Sequence, residues 1–163
     1  MSDLCRAMSE TPDHANTLVR PPIALLLALL AGLTLDWLHP LPFAPAGLPH
    51  AWAGAGIFVI GLAIVVWAIT ALKAAGTSVQ GYKPTSAIVD HGPYRFTRNP
   101  VYVGMLVGLA GLAVAFDTLW LLVTLVPFCT IIRFGVVARE EAYLDRTFGD
   151  AYRSYRARVR RWL

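Results

Sequence analysis

The stretch His91-Gly92-Pro93-Tyr94-Arg95-Phe96-Thr97-Arg98-Asn99-Pro100-Val101-Tyr102-Val103-Gly104 stands at the head of a long apolar run, and its reading decides the fold. Two Arg, a His, an Asn and two Tyr between hydrophobic segments are costly to hold near lipid unless something pairs with them. Pro93 and Pro100 interrupt helix formation, Gly92 permits a tight turn, and Asn99-Pro100 is a helix-start signal. A helix therefore begins at the end of this cluster. Its free amides and dipole, with Arg95 and Arg98, favour an anion such as a carboxylate or phosphate. The plainer alternative is a juxtamembrane basic loop gripping lipid phosphates.

The surrounding chain supplies the membrane. Its 163 residues are 56% hydrophobic and only 15% charged, against about a quarter charged in soluble domains. Its mean hydropathy is +0.56. Apolar stretches at 22–35, 41–72, 101–116 and 118–132 contain no Lys, Arg, Asp or Glu. They predict an all-α integral membrane protein with four transmembrane helices and room for a fifth, the second helix starting near Ala51 after a Pro-rich link. The last two stretches are short for a hydrocarbon core of about 30 Å, so the third is expected to begin near Asn99 and the fourth to run on to Ala138. Ala51-Trp52-Ala53 resembles a signal-peptide cleavage site, but the leading segment is long and contains acids, and prolines intervene; the first stretch is read as a span.

Positive charge sorts by loop. The link at 39–50 and the turn at 116–118 carry no Lys or Arg, whereas the middle loop carries Lys73, Lys83, Arg95 and Arg98, and the tail from Arg139 onward carries seven Arg. Both termini and the opening cluster are therefore expected on the cytoplasmic face. Basic residues beside membrane segments point to the lipid bilayer as partner, not to nucleic acid. Cys5 and Cys129 have neither a neighbouring partner nor metal-ligand spacing.

Residues 1–20 read as a mobile cytoplasmic tail and 21–163 as one membrane domain. Gly54, Gly56 and Gly61 in the second helix, and Gly104, Gly108 and Gly111 in the third, predict close packing of the two. Residues 76–90 read as a loop forming a lid or wall. In the tail, Leu144, Phe148, Tyr152, Tyr155, Val159 and Trp162 fall on one helical face, broken near Gly149 with Asp150 capping the second part. This amphipathic tail suits the cytoplasmic interface.

Arg139-Glu140-Glu141 ends the fourth helix on the same face as the opening cluster. An isolated Glu pair is usually solvated and offset by neighbouring Arg. Here it is placed to meet Arg98 or the cationic part of a ligand, and a site with carboxylates and arginines at opposite ends suits a zwitterion.

The pattern H-G-x-Y-x-x-x-R-N-P-x-Y-x-G, a helical hairpin, then E-E-x-x-L-x-x-x-F-G-x-x-Y-x-x-Y with a basic end resembles the isoprenylcysteine carboxyl methyltransferase and phospholipid methyltransferase superfamily, over 86–163. The resemblance implies a membrane methyltransferase using S-adenosylmethionine without a Rossmann domain, its cofactor-binding half at 76–163 and its pocket between the third and fourth helices and the tail. By position, Ile88, Val89, His91, Gly92, Tyr94, Asn99, Pro100, Tyr102 and Glu140 would bind the cofactor. Arg98, Glu140 and Glu141 fall where the family has its essential polar residues. The acceptor implied is lipophilic, an isoprenylcysteine-like carboxylate or a lipid head group. Two departures stand out: Val136 occupies the place of an Arg four residues before the Glu pair in eukaryotic members, and Asn99 that of a His. Arg139 and Arg133 are the substitutes for the missing substrate-binding charge. Rival readings are an NADPH-dependent sterol-type membrane reductase, whose members share an R-x-P-x-Y-x-G end, and a non-catalytic protein binding anionic lipid.

Overall fold

A computed structural model describes residues 17–45, 47–77 and 87–163. Helix α1 spans Pro21–Leu38, α2 His50–Ala74, α3 Pro100–Ala115 and α4 Leu119–Thr130. A 3-10 turn occupies Gly92–Arg95. A π-helical segment, Ile131–Val137, carries α4 without a break into α5, Ala138–Phe148, and α6 covers Asp150–Arg158. No strand occurs among the described residues, only an isolated parallel bridge between Thr97 and Arg160. Three continuous helices, Pro21–Leu38, His50–Ala74 and Leu119–Phe148, are long and apolar enough to cross a membrane, and α3 is a shorter apolar helix between them. Most of α2 is uncovered, with Trp52, Ile60, Leu62 and Val66 exposed, the reverse of a helix made for water.

Two helix pairs build the bundle: α2 lies along α3, and α1 along α4. The glycines explain the first pairing. A Cβ on Gly61 would lie 2.5 Å from the Gly108 amide nitrogen, and one on Gly104 2.7 Å from the Gly61 carbonyl. Backbone therefore meets backbone, as the sequence predicts. Gly56 is the exception, having nothing within 4 Å, so it lies off the packed face. Gly104→Val should destabilise the protein by about 1–3 kcal/mol through overpacking, with Gly56→Ala silent, in denaturant titrations of detergent-solubilised protein.

Prolines and short loops set the helix ends. Pro100 opens α3 after Asn99, and Pro21 opens α1. At the far end of α3, Asp117 adopts φ 50°, a left-handed conformation that Asp tolerates better than most residues. Its Oδ1 accepts the Ala44 and Phe43 N–H groups at 2.6 and 2.9 Å. Trp120 Nε1 donates to the His39 carbonyl at 2.7 Å and Leu119 N to Leu41 at 2.9 Å, so the α1–α2 link is tied to the α3–α4 turn. The backbone amides, Ala44 first, hold the Asp117 carboxyl below its usual range. A native pKa lower than the unfolded one gives stability present in full above the usual value of 3.8 and lost as pH falls through the native value. Asp117→Asn should flatten that acid limb of the melting-temperature profile.

Pro127 lies inside α4 and cannot donate to the helix ladder, and the wider π turns follow it. Within them the Gly135 carbonyl accepts the Leu18 N–H at 3.0 Å, so the end of the N-terminal segment is pinned to this helix. Residues 1–16, the bulk of the expected tail, and 78–86, the middle of the expected loop, lie outside the described residues.

The tail breaks at Gly149 as expected, but departs from the expected pattern in its cap and beyond Arg158. Asp150 is the first residue of α6 rather than its cap, and Gly149, at φ 51°, makes the break. The helix stops at Arg158, and Val159 is extended, so Val159 and Trp162 do not continue the helical face. Main-chain pairing is the cause: Arg98 N donates to the Arg160 carbonyl at 2.9 Å, while Thr97 Oγ1 and Asn99 Nδ2 donate to the Arg161 carbonyl at 3.1 and 3.0 Å. These bonds need an extended partner and outweigh the helical periodicity of the side chains.

Candidate active site

The start of α3, the 3-10 turn, α5 and α6 surround a cavity of about 150 Å³. Ala87, Ile88 and Val89 form one wall; Tyr94, Arg98, Asn99, Pro100, Val101 and Tyr102 come from the opening cluster; Leu72 ends α2; and Glu140, Glu141, Tyr143, Leu144, Tyr152 and Tyr155 come from the tail. The two distant motifs therefore meet in one place.

Neighbouring carboxylates play different parts there. Tyr102 Oη donates to Glu140 Oε1 at 2.8 Å, and Glu140 makes no ion pair among the described residues. Glu141 is buried, with both oxygens engaged. Arg98 Nη1 lies 3.1 Å from Oε1, Arg161 Nε donates to Oε1 at 3.1 Å, and Arg161 Nη2 donates to Oε2 at 2.6 Å. Side-chain exposure is 9% for both Arg98 and Glu141. Arg98 Nη1 also reaches Tyr152 Oη at 3.4 Å, but Arg98 Nε is buried with no acceptor among the described residues.

The aromatic walls are polar at their tips. Tyr155 Oη donates to the Tyr94 carbonyl at 2.9 Å, which fixes α6 against the 3-10 turn. Burial pushes the hydroxyl pKa of Tyr94, Tyr152 and Tyr155 up, so all three stay neutral at physiological pH. Neutral tyrosine faces suit a cationic ligand.

Of the residues expected to bind the cofactor, Ile88, Val89, Tyr94, Asn99, Pro100, Tyr102 and Glu140 line the cavity, and so do Arg98 and Glu141, expected as essential polar residues. His91 and Gly92 do not. His91 is exposed, and Gly92, at φ 60°, serves the turn against Trp67 and Ala71 of α2. Nor do Arg133 and Arg139 reach it: both are exposed, and the Arg133 guanidinium lies over the Phe134 ring at 5.4 Å. Arg133 lies within the π segment and Arg139 at the start of α5, both on the uncovered side of this continuous helix, and Val136, at the position of the missing Arg, is fully buried. Instead the second arginine of the cluster is Arg161, which sequence reasoning overlooked because it lies 20 residues from Glu141 with no helical register between them. Tyr152 and Tyr155 were legible as one face of the tail but not as cavity walls.

Residues 49–151 match the sequence profile of a family described as phospholipid methyltransferase. The chain belongs to this family. The match takes in α2, the opening cluster, α3, α4 and the Glu pair, and stops just short of Tyr152. A Haemophilus influenzae (strain ATCC 51907 / DSM 11121 / KW20 / Rd) protein described only as uncharacterized is 47% identical over 51 residues, which cover 28% of this chain and 81% of that protein. Membership of the phospholipid methyltransferase family makes methyl transfer the chemistry to test against the cavity.

Proposed function

We propose that this protein transfers a methyl group from S-adenosylmethionine to a lipophilic acceptor at the cytoplasmic face of a membrane. The observation that carries this reading is a pair of groups lining one cavity: a buried Arg98 Nε with no acceptor, and a Glu140 carboxyl that accepts from Tyr102 but faces no cation, among the described residues. A buried donor left unpaired costs about 1–3 kcal/mol, and a bound carboxylate removes that cost. An ammonium would likewise complete Glu140. The amino-acid half of the methyl donor carries both groups, and the tyrosine walls suit its sulfonium. Arg98, Glu140, Tyr94, Tyr102 and Asn99 would hold it.

When bound, the cofactor supplies an activated methyl. The chain's own residues orient it: Glu140 and Arg98 grip its two charges, Tyr94 and Tyr155 keep water from the transfer path, and Leu72 and Val101 offer an apolar side toward the acceptor. Positioning dominates in such an in-line displacement. An acceptor amine must lose a proton, a role open to Glu140; a carboxylate or thiolate acceptor needs no base. Four spans, with the 100–115 helix as the third, are supported by the four uncharged apolar stretches, and the distribution of Lys and Arg supports both termini on the cytoplasmic side. The bilayer supplies the acceptor sideways, while the cofactor enters from water.

Calorimetric titration of detergent-purified protein with S-adenosylhomocysteine and with NADPH tests the reading. Saturable binding of the first alone is expected. Binding of NADPH alone, or of neither, overturns it.

A further inference from the structure

Arg161 lies outside the residues that match the family, on the extended segment paired to 97–99. We propose that it is a positioning residue: by occupying Glu141 bidentately, it keeps Arg98 from doing so and leaves the buried Arg98 Nε unpaired, as the donor for a ligand carboxylate. This inference rests on the methyl-donor reading above.

The geometry runs from the carboxylate outward. Glu141 presents two oxygens, and Arg161 takes both, Nε on Oε1 at 3.1 Å and Nη2 on Oε2 at 2.6 Å. Two parallel N–H donors on one carboxylate are the favoured arginine arrangement. Arg98 is left an end-on contact through Nη1 with Oε1 alone. Its Nε is the donor that a bidentate grip on Glu141 would use, and it is instead unpartnered while the side chain lines the cavity. Glu141 and Arg98 are equally buried, and Arg161 is more exposed at 30%, so it approaches the pair from the solvent side.

The backbone of the same segment is held independently of this side chain. Asn99 Nδ2 and Thr97 Oγ1 both donate to the Arg161 carbonyl, and Arg98 N donates to Arg160. Removing the guanidinium therefore leaves the segment in place. Arg98 then relaxes onto the vacated oxygen of Glu141, and its Nε is taken up by that carboxylate instead of being left for a ligand. The loss falls on carboxylate recognition, not on the adenosine or the ammonium.

The test compares S-adenosylhomocysteine with its decarboxylated homologue, which keeps the ammonium, by calorimetry on wild type, Arg161→Gln and Arg161→Lys. Wild type should prefer the carboxylate-bearing ligand. Arg161→Gln should weaken that ligand by roughly 10- to 100-fold, the worth of a hydrogen bond between charged groups, and leave the decarboxylated one within about twofold. Arg161→Lys keeps the charge and the fold but lacks the fork, and should show the same selective loss. Equal weakening of both ligands in the variants makes Arg161 merely structural and overturns the inference, as does unchanged selectivity. If wild type binds neither ligand, the methyl-donor reading falls and takes this one with it; if wild type binds and only the selectivity result fails, the methyl-donor reading stands.

Discussion

Glu140→Gln should weaken S-adenosylhomocysteine binding by roughly 30-fold or more while shifting the stability of the empty protein by no more than about 1 kcal/mol. The asymmetry follows from its surroundings. In the folded protein Glu140 accepts one hydrogen bond, from Tyr102, and faces no guanidinium among the described residues. Gln keeps the shape and an acceptor for that phenol, so the fold loses little. A ligand ammonium bound as proposed would, by contrast, lose the carboxylate counter-charge that Glu140 offers it. The measurement is a pair of isotherms and a pair of denaturant titrations on wild type and variant. A variant that binds normally removes Glu140 from the site.

Its neighbour should behave in the opposite way. Glu141→Ala should cost about 3–5 kcal/mol of stability, because it strands the buried guanidinium of Arg98 and releases that of Arg161. Breaking a buried pair from one side is far more damaging than replacing the whole group, since the remaining charge has neither water nor a partner. Glu141→Gln retains an acceptor for Arg161 and should lose less. Reversible denaturant titration in detergent distinguishes the two. A Glu141→Ala protein as stable as wild type would show that the cluster carries no net structural energy.

Much of this architecture was legible in the residues. Four uncharged apolar stretches marked the three helices long and apolar enough to cross a membrane and the shorter α3 between them, and Asn99-Pro100 marked the start of α3. Gly54, Gly61, Gly104 and Gly108 announced the α2–α3 contact because a missing side chain on each of two helices has few other uses. The convergence of Arg98 with the Glu pair was also foreseeable, since both end on the same side of the bundle. What escaped was set by tertiary contact. The helical spacing of Val159 and Trp162 gave no hint that backbone pairing with 97–99 would pull this segment straight. Arg161 could not be told from its neighbouring arginines by spacing, and nothing in the spacing of Arg133 and Arg139 shows that both lie on the exposed side of their helix. His91 belonged to the motif, yet its ring is exposed while the chain on either side serves the turn and the wall.

The Ile131–Val137 segment makes residue count itself a constraint. Between the anchored turn at Asp117 and the carboxylate at Glu140, the helix phase depends on how many residues are wound loosely and how many tightly. Deleting one apolar residue there would barely change hydrophobicity and leave charge untouched, yet it would swing everything downstream by about 100°. Glu140 would then leave Tyr102, and Glu141 would leave both arginines. Within this helix, length is therefore guarded more strictly than identity: conservative exchanges among Ile, Val and Phe on its exposed face are tolerable, whereas a single-codon deletion is equivalent to removing both carboxylates at once.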